Sequence, residues 1–228
     1  MPVVSEVVRD LRVKRYFAYQ FIADLHETPH RFGCTVSSEG RADIQSRNLT
    51  AASSMTFSGE DAPAEPMQVS VILCDGKLFQ RFDQSGSEDW IELADTGSGW
   101  LNELLPLRLL EFAEPGKPLA SDGVTIVGVP VARIPGETFS TMRGETNSAT
   151  NLLDPSDTVR LSVTCAGGSL TVCEVSLPGA DGTQDRMRIE LEPASEFEVM
   201  PPAGACQRFS NIEDFTQTAS QQLRPEDQ

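Results

Sequence analysis

Apolar and polar positions alternate with a period of two over much of this chain, most clearly in residues 67 to 93, MQVSVILCDGKLFQRFDQSGSEDWIEL. Two apolar runs meet there at Asp75-Gly76, a pair suited to the positive φ angles of a type I′ turn. The segment therefore predicts a hairpin, extended through a polar tip to a third strand at Trp90. The same alternation predicts strands in RFGCTVSSEGRADIQ, with a turn at Glu39-Gly40, and in LTAASSMTFS. VTIVGVPVARIPGETFSTM predicts two strands around Gly128, and MRIELEP and SEFEVMPP predict short late ones. TVRLSVTCAGGSLTVCEVSL is a second hairpin, turning at Gly167-Gly168, while GEDAPAEP and RGETNSATN read as loops.

Helical spacing occurs in three places. Val4, Val7, Val8 and Leu11, then Ala18, Phe21, Ile22 and Leu25, predict one amphipathic helix over about residues 3–28, with a weak point near Arg12 to Arg15 and a stop at Pro29. GWLNELLPLRLLEFAEPG is too apolar for a helix with one buried stripe, and Pro106 interrupts it. It predicts two short helical turns buried on more than one side. Ile212, Phe215 and Ala219 predict a closing helix over about 210–223. These elements make one α+β domain over residues 1–228, with the sheet and a helical lid at about 31–200.

Charge narrows the partners. Aspartate and glutamate outnumber lysine and arginine by 34 to 18, a net charge of −16 spread along the chain. Such a surface repels phosphate backbones and anionic membrane faces, which disfavours nucleic-acid binding and electrostatic membrane docking. No apolar run approaches the roughly 20 residues that a spanning helix needs, and no secretory signal is written at the N-terminus. The cysteines Cys34, Cys74, Cys165, Cys173 and Cys206 are odd in number and lie mostly in strand-like runs, which points to reduced core thiols, with a Cys165 to Cys173 bridge as the alternative. A cytoplasmic protein is expected on this reading. An exported lipoprotein domain would need a targeting segment that the sequence does not contain.

Catalytic motifs are sparse. His26-Glu27-Thr28-Pro29-His30 matches H-E-x-x-H in letters, but Pro29 denies the helix that would place both imidazoles on one face. His26 is expected near a helix C-terminus and no metal is expected. Cys34 and Cys74 lack a histidine partner, and Asp181-Gly182 with Asp185 lacks a calcium loop and reads as a turn. Glu88-Asp89 and Glu213-Asp214 read as solvated charges, and Arg41, Arg133, Arg160 and Arg186 as cross-strand ion-pair partners, with pairing of one of them to a ligand carboxylate as the alternative.

DGKLFQRF followed by DWIEL, the apolar insertion, GVTIVGVPVARIPGETFS and LSVTCAGGSLTVCEVSL, in that order within about residues 15 to 202, together resemble the LolA/LppX-like superfamily. The likeness is to its actinobacterial LppX/LprG-type lipoprotein branch. This resemblance implies a curved antiparallel sheet, a half-barrel, closed by helices over an apolar cavity, which binds or carries a lipid or other hydrophobic small molecule without catalysis or cofactor. The chain departs from the family in having Phe79 where tyrosine is usual, no lipobox cysteine and an added C-terminal helix. Ligand contacts are then expected from the concave face and lid: Phe57, Val69, Val71, Leu73, Trp100, Leu104, Leu105 and Phe139. A one-residue slip in register would present Gln68, Ser70, Ile72 and Cys74 instead. Two other functions fit the same pattern. One is a cyclase or isomerase that folds an apolar, polyketide-like substrate in the cavity, and the other is a sensory or interaction module.

Overall fold

The computed structural model describes residues 1–26, 33–59, 62, 64–82, 90–93, 103–136, 138, 153–178, 183–204 and 206–209. The chain begins with helix α1 (Val4–Lys14), whose Val4, Val7 and Leu11 are buried. Its first turn is closed by backbone from elsewhere, because Val4 N–H donates to the carbonyl of Lys117 and Ser5 N–H to that of Pro115. Arg15 ends it with φ 64°, a left-handed turn in which its N–H still donates to the carbonyl of Leu11. The same residue forks onto Asp43, Nε to Oδ1 at 2.9 Å and Nη2 to Oδ2 at 2.8 Å, fixing the corner.

After Arg15 the chain enters a strand, where a continuing helix was expected. In β1 (Tyr16–Leu25) the residues Phe17, Tyr19, Phe21, Ala23 and Leu25 are all buried, a period of two rather than 3.6. Aromatic residues favour the pleated surface, and the turn at Arg15 removes any continuity with α1. Strand β2 (Gly33–Asp43) runs straight through Glu39 and Gly40, and the turn expected there falls instead at residues 44–47 before β3 (Asn48–Ser58). Next come β4 (Met67–Cys74), β5 (Lys77–Phe82) and β6 (Trp90–Leu93). Asp75 and Gly76 have φ 52° and 75°, the positive pair of a type I′ hairpin, as their sequence predicts.

Helix α2 (Leu105–Leu110) buries Leu105, Pro106, Leu107, Leu109 and Leu110. Pro106 lies in its first turn, where a missing N–H costs nothing, so it starts the helix instead of interrupting it. Strand β7 (Gly123–Pro130) runs through Gly128 and is followed by a single 3-10 turn at Val131–Arg133, while residues 137 and 139–142, the end of the segment expected to hold the second strand, lie outside the described residues. Strands β8 (Thr158–Ala166) and β9 (Ser169–Pro178) form the second hairpin around Gly167 and Gly168, at φ 58° and 79°. Strand β10 (Gln184–Pro193) pairs with β1, and β11 (Cys206–Phe209) pairs parallel with β6.

Among the described residues, eleven strands form one open, curled sheet, ordered β11-β6-β5-β4-β3-β2-β1-β10-β9-β8-β7, antiparallel except at β11. Both helices pack on the same face, α1 against β9 and α2 against β9 and β10, and that inner face carries the core. The outer face carries charged residues, with Arg188 between Glu174 and Glu190, and exposes a few apolar ones, Ile22, Val124 and Ile126. Residues 194–204, where a late strand was expected, form a strap with no regular structure. It crosses the outer face past Tyr16 and Arg41, whose guanidinium lies 4.2 Å from the Phe197 ring centroid, to the Val199 carbonyl, 3.2 Å from Cys74 Sγ. Two prolines and that transverse path exclude it from the ladder. The closing helix expected at 210–223 lies outside the described residues. Among the described residues, no helix is long and apolar enough to cross a membrane.

Candidate functional site

Register places a small polar network in the middle of the apolar inner face. Across the sheet, Leu191, Tyr19, Gly40, Ala51, Val71, Gln80 and Ile91 form one row of paired positions. Ile189, Phe21, Ser38, Ser53, Val69 and Phe82 form the next inward row. Glu103, just ahead of α2, comes down onto these rows with 2 % of its surface exposed. Tyr19 Oη donates to Glu103 Oε2, Ser53 Oγ donates to Oε1 at 3.3 Å, and Ser38 Oγ donates to Ser53 Oγ at 2.9 Å.

Gly40 makes the tyrosine's position possible. A Cβ there would lie 2.7 Å from Tyr19 Cζ and Oη and 2.4 Å from the Thr50 carbonyl oxygen, so the phenol ring occupies the space a side chain would fill. The glycine in the middle of β2 thus marks a close approach rather than a turn. Burial raises the Glu103 carboxyl above the ordinary carboxylate range, against the hydroxyls of Tyr19, Ser38 and Ser53, which pull it down. Burial, with Glu103 beside it, pushes the Tyr19 phenol well above its ordinary value. The pair is a carboxyl and a phenol in an apolar setting, and burial shifts both toward their protonated forms.

Gln80 stands apart from this network. It is 0 % exposed, and neither its amide nitrogen nor its amide oxygen has a hydrogen-bond partner. Its neighbours across the ladder are Val71 and Ile91, and Leu78 and Phe82 flank it on its own strand. None of these side chains can pair with an amide. Gln80 lies two strands from Ser53, about 10 Å by ordinary strand spacing. The other orphaned buried atom among the described residues is Oδ2 of Asp185 at the far end of the inner face. The Oδ1 atom of Asp185 accepts from the His26 backbone N–H at 2.8 Å and lies 3.4 Å from His26 Nδ1.

His26 directly follows strand β1, not a helix as its spacing suggested, because the residues before it are strand. His30 lies outside the described residues, and among the described residues no three His, Cys, Asp or Glu side chains gather as metal ligands. All five cysteines are free thiols, so no bridge joins Cys165 to Cys173. Arg41 serves the outer-face strap, donating to the Ser195 carbonyl at 3.4 Å.

Of the expected ligand contacts, Val69 and Val71 are buried on the inner face, while Phe57 and Leu73 are half-buried in the same phase. Leu104 and Leu105 are buried at the start of α2. Trp100 and Phe139 lie outside the described residues. The alternative register is excluded for the sheet, since Gln68 Nε2 bonds Ser54 Oγ on the outer face and Cys74 meets the strap there. Sequence reasoning missed Tyr19, Ser38, Ser53, Gln80 and Glu103. The available signal was Gln80 itself, a polar residue in phase with Leu78 and Phe82. Compared with models of protein families the chain matches none, and no curated protein matches it.

Proposed function

We propose that the protein is a noncatalytic binder of a lipid or other hydrophobic small molecule, seated against the inner face of the sheet in a half-barrel of the LolA/LppX kind. The observation that carries this reading is Gln80, an amide with no partner, buried between the apolar side chains of Val71 and Ile91. An apolar ligand with one polar group would cover the face and satisfy the amide, the usual composition of a small-molecule site. Because Gln80 and Glu103 have 0 % and 2 % exposure, a ligand reaches them only when the cover over the inner face parts. Native mass spectrometry of protein purified without detergent, with lipid-extract pulldown, tests the idea. A co-purifying small hydrophobic molecule is expected, and protein that stays empty in both assays overturns it.

A second reading, a cyclase or isomerase acting on an apolar substrate, is favoured by the Glu103–Tyr19 pair, whose carboxyl is held up by burial. Such a group can donate a proton inside a water-poor site. Under this reading a Glu103→Gln variant in the producing cell changes the small-molecule product profile. An unchanged profile refutes it.

A further inference from the structure

The two orphaned atoms of Gln80 specify a ligand chemistry. The amide offers an N–H donor and a carbonyl acceptor side by side, and both are desolvated before any ligand arrives. A ligand group with its own adjacent donor and acceptor can close a cyclic pair of hydrogen bonds with it. An ester or ether accepts only and leaves the Gln80 carbonyl unsatisfied. A carboxylate fails for a second reason: the buried polar residues among those described are serine, threonine, glutamine, aspartate and glutamate, with no lysine or arginine. An anionic head would be buried without a cation, in a molecule whose net charge is already −16.

We infer that Gln80 is the recognition residue for an uncharged carboxamide or lactam group carried on an apolar ligand. This rests on the proposed hydrophobic binding and adds the chemical class of the head group. In the free protein the amide remains desolvated with no compensating bond, which destabilises the fold. Pairing with the ligand removes that cost, so the free protein is primed for the match, and the ligand's own amide is the group whose hydration is exchanged.

Decanamide, methyl decanoate and decanoate, titrated against Nile red displacement on the intact chain, separate the possibilities. The wild type is expected to bind decanamide about tenfold more tightly than methyl decanoate, and decanoate least. Gln80→Leu, which removes the orphaned amide, is expected to melt at a higher temperature and to bind decanamide and the ester equally. Gln80→Met serves the same test if the leucine variant does not fold. Equal binding of amide and ester by the wild type, or an amide preference that survives in both variants, overturns the inference and leaves hydrophobic binding standing. Failure of all three probes to bind overturns both.

Discussion

Replacing Glu103 by glutamine isolates the buried carboxyl from every other charge in the molecule. In the unfolded chain this group titrates near 4.5, and in the folded protein burial raises it above that value despite the hydroxyls of Tyr19, Ser38 and Ser53. Between those two values the folded state holds a proton that the unfolded state has released. Its contribution to stability is therefore complete below about pH 4.5 and is lost as pH rises through the folded value. One proton limits the slope to about 1.4 kcal/mol per pH unit. Glutamine keeps the shape, accepts from Tyr19 Oη through its carbonyl, turns its amide toward Ser53, and carries no charge at any pH. The stability of E103Q relative to the wild type should therefore climb with pH above about 4.5 and level off once the wild-type carboxyl has ionised.

Urea unfolding of both proteins, from about pH 4 to about pH 9, reads this difference directly. Groups elsewhere cancel in the subtraction if they are independent of Glu103, as Asp43 and Asp154 are by location. The phenol of Tyr19 is raised above 10, so its own contribution persists to the top of this range. Parallel profiles, or an E103Q variant that loses ground as pH rises, would refute the claim that burial dominates the carboxyl.

Three further outcomes are expected. Gly40→Ala should cost about 1–3 kcal/mol in urea unfolding, because the new methyl meets the Thr50 carbonyl at 2.4 Å and the phenol at 2.7 Å; combining it with Tyr19→Phe should recover only the part due to the ring's displaced hydroxyl. At Asp43, burial pushes the carboxyl up, but its bonds from Arg15 and Ser46 prevail and hold it below 3.8. Its contribution is thus present above about pH 3.8 and lost as pH falls through the folded value, so Asp43→Asn should flatten the acid limb of a circular-dichroism titration below about pH 4. Burial raises the Cys34 and Cys173 thiols to about 11 and about 12, and raises Cys74 and Cys165 as well. A disulfide reagent at about pH 8 should therefore label half-buried Cys206 first in native protein and all five thiols only in urea.

The hairpins were legible because their signals are local. Asp75-Gly76 and Gly167-Gly168 supply the turn geometry themselves, and the strands beside Asp75-Gly76 keep one phase, while the second hairpin shifts register once, between Thr164 and Cys165. The stretch YFAYQFIADL was not, because it satisfies two periods at once: Ala18, Phe21, Ile22 and Leu25 fit a helix, and Phe17, Tyr19, Phe21, Ala23 and Leu25 fit a strand. Pairing with β2 and β10 on both sides decides between them, and no local window contains it. Gly40 misled for a related reason, since its purpose is the ring of a residue 21 positions earlier. Glu103 is one of several charges in the leucine-rich stretch around α2, and nothing local distinguishes it from Arg108 or Glu111. Only the superposition of that stretch on β1 and β3 makes it the centre of a buried network.

The two orphaned buried side chains differ in how the fold uses them. Asp185 has a structural role, since its Oδ1 holds the backbone of His26 where β1 ends, and a half-exposed imidazole sits beside the carboxylate. Its second oxygen is the remainder of a group already in use. Gln80 has no comparable role, because it bonds nothing, caps nothing, and interrupts an apolar phase that leucine would complete between Leu78 and Phe82. Stability alone would favour the apolar residue, because an unpaired buried amide costs more than a filled core position. Under the proposed binding function, a side chain that weakens the fold and bonds no element of it is accounted for by the ligand. That is why the two readouts on Gln80→Leu, a higher melting temperature together with a lost preference for the amide, must move in opposite directions for the functional assignment to hold.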